Sequence, residues 1–330
     1  MRAKKMATGL LALAMVMGMG TTALAAPDPA DMTTITITKD YEAANPGTTS
    51  PAETFQFTIE RTSVSDAAEG VTKENMPIPT IGTVAYTEGE AGSATKSKEI
   101  TVTLPEYTSV GIYTYTIRET AGTTAGVTYF GEDIKLVVTV LQGESGKLRV
   151  AAVHTEASGQ AKADNFPNTY SAGTLAISKD VTGNLGDTTK YFKVTVTLTG
   201  EEGKVYAENY AVAGGSYETN PKNIAVGTPT EFWLKDGETI SISNLPYGVT
   251  YTVEEADYTG DGYDAAAYDF SDANKKIDTA NDTVTVINNK DTEIDTGVFL
   301  DNLPYITLLV LAAGGMSLFI VRKNRRAKED

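Results

Sequence analysis

Ile35-Thr36-Ile37-Thr38-Lys39 returns later in the chain as Leu175-Ala176-Ile177-Ser178-Lys179. Each stretch alternates with a period of two, the mark of a β-strand with one buried face. Residues i, i+2 and i+4 of a strand share a face. Lys39 therefore lies with Ile35 and Ile37, and Lys179 with Leu175 and Ile177. That face is apolar, which predicts burial. A buried ammonium is costly unless it is paired, neutralised or consumed. One such conflict is an oddity; the same conflict twice, in matching contexts, points to a device.

Outward from these strands the chain reads as two divergent copies of one plan. The lysine strand is followed by Phe55-Gln56-Phe57-Thr58-Ile59 in the first copy and Phe192-Lys193-Val194-Thr195-Val196 in the second. Tyr115-Thr116-Ile117-Arg118-Glu119 then answers Tyr251-Thr252-Val253-Glu254-Glu255. The copies close on Phe166-Pro167-Asn168 and Val286-Ile287-Asn288. The first domain is expected over 31–171, with strands at 33–39, 54–60, 98–104, 112–119, 134–141 and 147–153 before the asparagine strand. The second is expected over 172–291, with strands at 174–179, 191–198, 239–243, 249–255 and 283–288. Short alternating runs rich in Val, Ile, Thr and Tyr, punctuated by Gly, Asn, Asp and Pro, indicate all-β sandwiches. Two copies are too few for a solenoid, so tandem domains are expected.

The same parity places Glu119 in phase with Tyr113, Tyr115 and Ile117, and Glu255 with Val249, Tyr251 and Val253. Asn288 is in phase with Val284 and Val286, and Asn289 points the other way. Each domain thus sets one lysine, one acid and one amide on apolar faces. An amine and a carboxamide can condense to an isopeptide bond with loss of ammonia. The amine must first be neutral and the acid protonated, and burial favours both. A neutral acid can hydrogen-bond the amide, polarise its carbonyl and pass protons to the departing ammonia. Folding supplies the proximity. The expected links are Lys39–Asn168 with Glu119 catalytic, and Lys179–Asn288 with Glu255 catalytic. Each reaction occurs once, so the chain is expected not to be an enzyme that turns over.

Composition excludes several other readings. The chain has no cysteine and one histidine, His154, read as a surface imidazole, with no Gly-x-Ser-x-Gly elbow. Net charge is −16 with basic residues at both ends, leaving roughly −22 on the body, which repels nucleic acid. Asp261, Asp264, Asp269 and Asp272 lie in a Gly- and Asp-rich stretch that matches no EF-hand and reads as a solvated loop. No metal or cofactor is expected. Residues 1–25 read as a signal peptide: basic residues, the apolar run Leu10 to Met19, then Ala23-Leu24-Ala25 as a cleavage site.

With these residues in hand, the chain resembles the sortase-assembled pilins of Gram-positive bacteria that carry isopeptide-linkage domains, in particular the two-domain backbone pilins of the streptococcal T-antigen type. The resemblance implies immunoglobulin-like sandwiches related to the B-type domains of collagen adhesins, flanked by an N-terminal signal helix and a C-terminal transmembrane helix. It implies the same two sets, Lys39, Glu119 and Asn168, and Lys179, Glu255 and Asn288. The second domain departs from the first in a shorter Glu-to-Asn spacing and in the double Glu254-Glu255.

Residues 292–330 carry a further signal. Glu293-Ile294-Asp295-Thr296-Gly297 precedes an apolar run over 303–321, just long enough to span a bilayer, and a basic tail, Arg322-Lys323-Asn324-Arg325-Arg326. This order matches a sortase sorting signal cut between Thr296 and Gly297, although Glu293-Ile294 replaces the usual Leu-Pro. The pilin motif of the YPK type is absent. By resemblance to the T-antigen type, Lys162 is expected to be the amine that accepts Thr296 of the next subunit. The expectation is a structural pilus subunit, secreted and covalently anchored to the cell wall or pilus. Its partners are a sortase, other pilin subunits or peptidoglycan, and a host surface ligand. The membrane is a partner only before sortase cleavage. The alternative is a monomeric wall-anchored adhesin.

Overall fold

The computed structural model describes residues 31–143, 146–157, 164–293 and 303–326, with only the backbone at 303–304, 314 and 318–326. The chain divides into two compact units, Met1–Ser171 with Gly203–Val205, and Ala172–Glu202 with Tyr206–Asp330.

The first unit is built of β1 (Thr34–Ala43), β2 (Glu53–Ser65), β3 (Thr80–Ile81), β4 (Val84–Tyr86), β5 (Lys96–Thr103), β6 (Gly111–Thr120), β7 (Val127–Thr128), β8 (Ile134–Gln142), β9 (Leu148–Ala157) and β10 (Asn165–Tyr170). They form two sheets, ordered β3-β5-β1-β10-β7 and β4-β2-β6-β8-β9. Alternation decides what each strand buries: Ile37, Lys39 and Tyr41 of β1 face inward, as do Tyr113, Tyr115, Ile117 and Glu119 of β6. The inner faces meet through aromatic rings, Tyr41 on Phe55 at 5.2 Å and Phe57 on Phe166 at 5.0 Å between centroids. The first and last strands of the unit, β1 and β10, are hydrogen-bonded neighbours and run parallel. Pro167 is tolerated within β10 because β7 pairs only with Thr169 and Tyr170, which leaves the proline on an open edge.

The second unit is built of β11 (Ala172–Thr182), β12 (Phe192–Thr199), β13 (Tyr210–Gly214), β14 (Asn223–Ile224), β15 (Thr230–Leu234), β16 (Thr239–Pro246), β17 (Thr250–Glu255), β18 (Ala267–Phe270) and β19 (Asn281–Asn289). One sheet is ordered β14-β13-β16-β11-β19-β18 and the other β15-β12-β17. Leu175, Ile177, Val284 and Val286 of the first pack against Val194, Val196, Leu198 and Phe232 of the second in one apolar cluster. Again the lysine strand β11 pairs in parallel with the closing strand β19.

The structure differs from the sequence reading in the second unit. The Gly- and Asp-rich stretch expected to be a loop contains an edge strand, β18, whose Tyr268 and Phe270 stack at 5.9 Å. Asp269 lies in that strand, Asp261 pairs with Lys190, and Asp264 accepts a hydrogen bond from Asn289 Nδ2. β13 and β15 are also strands that the sequence reading did not anticipate. After β19, Leu303–Arg326 form the helix α1. Among the described residues no helix is long and apolar enough to cross a membrane; in α1 the described side chains are only 305–313 and 315–317.

Candidate functional site

Parallel register fixes the geometry of both lysine sites. In the first unit Lys39 lies beside Phe166 and Tyr41 beside Asn168. In the second Lys179 lies beside Val286 and Val181 beside Asn288. Each asparagine therefore stands two residues further along the neighbouring strand than its lysine, and both side chains enter the core. The acid comes from the opposite sheet. Glu119 of β6 pairs with Phe57, and Glu255 of β17 pairs with Val194. Two residues before each of these partners stands an aromatic ring, Phe55 or Phe192, under the lysine ammonium at 4.2 and 4.6 Å. Lysine, acid, asparagine and ring thus recur in one arrangement.

In the first unit the three polar groups are in contact. Lys39 Nζ lies 3.1 Å from Glu119 Oε2, with both side chains wholly shielded from solvent. This is a close charge pair, while a directed hydrogen bond from Nζ runs to the Phe166 carbonyl at 2.8 Å. Asn168 Nδ2 donates to Glu119 Oε1. The Asn168 carbonyl accepts the backbone N–H of Phe130 at 2.8 Å. Burial lowers the Lys39 pKa to about 8, with Glu119 and Asp40 opposing the fall. Burial raises Glu119, against the pull of Lys39 and Asn168. Both shifts run toward the neutral forms, against the attraction between the two charges.

The second unit is looser. Lys179 Nζ lies 3.6 Å from Glu255 Oε1 and donates to the carbonyls of Asp180 and Val286 at 3.0 and 3.1 Å. Burial lowers Lys179 and raises Glu255. Asn288 is near enough to oppose the rise of Glu255, yet its two amide atoms make no hydrogen bond of ordinary length. Of the double Glu254-Glu255, Glu254 is exposed and the Glu255 side chain is buried, as parity required.

The structure thus brings together Lys39, Glu119 and Asn168, and Lys179, Glu255 and Asn288. It differs from expectation in one particular: the Asn168 carbonyl meets a backbone donor, and the acid meets the amide nitrogen. Phe130 escaped the sequence reading because a main-chain N–H has no side-chain signature. His154 is exposed and pairs with Glu156 at 3.1 Å. Lys162, Thr296 and Gly297, like the signal peptide over 1–25, lie outside the described residues.

Comparison with known proteins gives two family matches, the Spy0128-like isopeptide containing domain over 35–171 and a domain of unknown function (DUF7601) over 173–290. The chain is 30% identical over 310 residues to a pilin of Streptococcus pyogenes serotype M1, covering 88% of this chain and 91% of that protein. A 134-residue stretch is 34% identical to the pilus tip adhesin Cpa of Streptococcus pyogenes, covering 38% of this chain and 18% of the adhesin. Among solved structures, the major pilin from Streptococcus pyogenes superposes with a TM-score of 0.54 at 24% identity, over 80% of this chain and all of that one (100%). The major pilin T3.2 of Streptococcus pyogenes serotype GAS13637 gives 0.52 at 26%, over 79% and 99%. The shared two-unit fold and the likeness along nearly the whole length lead to one conclusion: the chain belongs to the pilin family that carries the Spy0128-like isopeptide containing domain, and it is a structural pilin subunit.

Proposed function

We propose that each unit forms an internal Lys–Asn isopeptide bond, that each is a sandwich of the immunoglobulin-like, collagen-adhesin B type, and that the braced subunit is polymerised and anchored by a sortase. The observation that carries the bonds is the recurrence of lysine, acid and asparagine in one register in both units. In the first unit a proton moves from Lys39 Nζ to Glu119, giving a neutral amine and a neutral acid. Nζ attacks Asn168 Cγ, and the carbonyl electron pair moves onto Oδ1. Glu119 protonates Nδ2 and then takes the surplus proton from Nζ. The carbonyl re-forms, the Cγ–Nδ2 bond breaks and ammonia leaves, with Glu119 protonated in the product. The contacts at Oε2 and Oε1 suit these two transfers.

Export and assembly rest on the sequence signals, with residues 1–25 as a cleaved signal peptide, 303–321 as the membrane span and cleavage between Thr296 and Gly297. The apolar side chains of α1 from Ile306 to Leu311 stand exposed, as suits a helix made for lipid. Lys162 is the proposed acceptor, and the acyl-enzyme passes Thr296 to it. The test is intact mass of the soluble fragment 27–291, which should be short by one ammonia per bond; a mass equal to the plain sequence would remove the proposal. The alternative reading is a monomeric wall-anchored adhesin. A high-mass ladder in wall extracts decides against it.

A further inference from the structure

We infer that the backbone N–H of Phe130 is a catalytic group, an oxyanion donor built into the first unit and missing from the second. The inference rests on the proposed Lys39–Asn168 condensation and adds a participant to it. When Nζ attacks Asn168 Cγ, negative charge gathers on Oδ1. The Phe130 N–H already points at that atom, at 2.8 Å. An N–H can bond only to an oxygen there, so this contact also fixes which way the Asn168 amide faces. It turns the carbonyl to Phe130 and the leaving nitrogen to Glu119. One contact thus sorts the amide into an end that gains charge and an end that gains a proton.

The donor is held rigidly. Val127 and Thr128 of β7 pair with Tyr170 and Thr169 of β10, the strand that carries Asn168. The chain leaves the ladder at Tyr129, and the next N–H turns to the side chain of Asn168. The Phe130 ring packs edge-on against Phe166 at 5.3 Å. The Tyr129 hydroxyl donates to Glu53 Oε2 at 3.2 Å and accepts the Thr124 N–H at 3.3 Å. It lies over Gly122, where any Cβ would collide with the Tyr129 hydroxyl. A donor fixed before charge develops needs no reorganisation as the reaction proceeds, which is the source of its effect. Among the described residues, Asn288 Oδ1 in the second unit has no hydrogen-bond partner.

The test removes the N–H and keeps the side chain. Phenyllactic acid is placed at 130 in the full chain by nonsense suppression in cell-free translation, which exchanges the amide N–H for an ester oxygen and keeps the ring. Samples are quenched at intervals and digested, and the Lys39–Asn168 and Lys179–Asn288 peptides are read by mass. The ester should lengthen the half-time of the first link about 100-fold, the usual effect of losing one such donor, and leave the second unchanged. Phe130→Ala, which keeps the N–H, should change the first half-time by only a few-fold. The inference is overturned if the ester links at the unmodified rate, or if Phe130→Ala slows the first link as much as the ester does. Slowing of both links by the ester would also overturn it, as a general folding defect. Absence of the Lys39–Asn168 link from the unmodified chain would sink the condensation itself, an outcome distinct from these.

Discussion

Replacing Lys39 by methionine removes the amine while nearly keeping its shape. The thioether can lie on the Phe55 ring as the lysine stem does. Glu119, already pushed toward its neutral form by burial, keeps its contact with Asn168. What is lost is the proposed cross-link. A bond from Lys39 to Asn168 closes a loop of about 130 residues, and the chain-entropy relation used for disulfides then gives about 5 kcal/mol. A domain of about 140 residues unfolds with an entropy near 0.3 kcal/mol/K, so the first transition should fall by roughly 15–20 °C. The assay is differential scanning calorimetry of fragment 27–291, with the mass loss measured on the same sample. Trp233, the only tryptophan, lies in β15 of the second unit. Its fluorescence tracks that unit, whose midpoint should stay where it was. The reasoning is refuted if Lys39→Met loses the link but lowers the first transition by only a few degrees.

Three further outcomes are expected. Glu119→Gln and Glu255→Gln should each fold and lack the bond of their own unit alone, read as one ammonia retained, because the amide cannot carry protons between amine and leaving group. Asn168→Ala leaves Lys39 as a free amine whose folded pKa, about 8, is below its ordinary 10.5. Between those values the unfolded chain binds more protons, so stability to urea should rise by roughly 1–2 kcal/mol from pH 8 to 9.5; the linked protein, lacking that amine, should show no such rise. Lys162→Arg, in cells that express the cognate sortase, should collapse the polymer ladder to monomer, since the guanidinium stays protonated and is a poor nucleophile; an unchanged ladder would move the search to other lysines.

Much of this architecture was legible because strand parity is strict. Lys39, Glu119, Lys179 and Asn288 could be placed on inner faces from their neighbours alone, and parity chose Glu255 over Glu254. Parity is blind where an outward residue is also apolar. In β15, Phe232-Trp233-Leu234 reads as an unbroken run because Trp233 packs outward against Tyr217 at 5.6 Å. β13 and β18 are short, and their small or acidic residues look like turns. Nor could the sequence show that the Asn168 carbonyl is held by a main-chain N–H, since that depends on where β7 lets the chain go.

The parallel pairing of β1 with β10 has a mechanical consequence. The chain enters β1 at one end of the pair and leaves β10 at the other. Force drawing those ends apart would slide the strands past each other and load their hydrogen bonds together, whereas an antiparallel pair of first and last strands would peel open one bond at a time. A covalent bridge from Lys39 to Asn168 would shorten the loaded path further. Tension would pass from the middle of β1 straight into β10, and the strand segments beyond the bridge, with the opposite sheet, would bear none of it. The unit would then give way only by breaking an amide or its backbone.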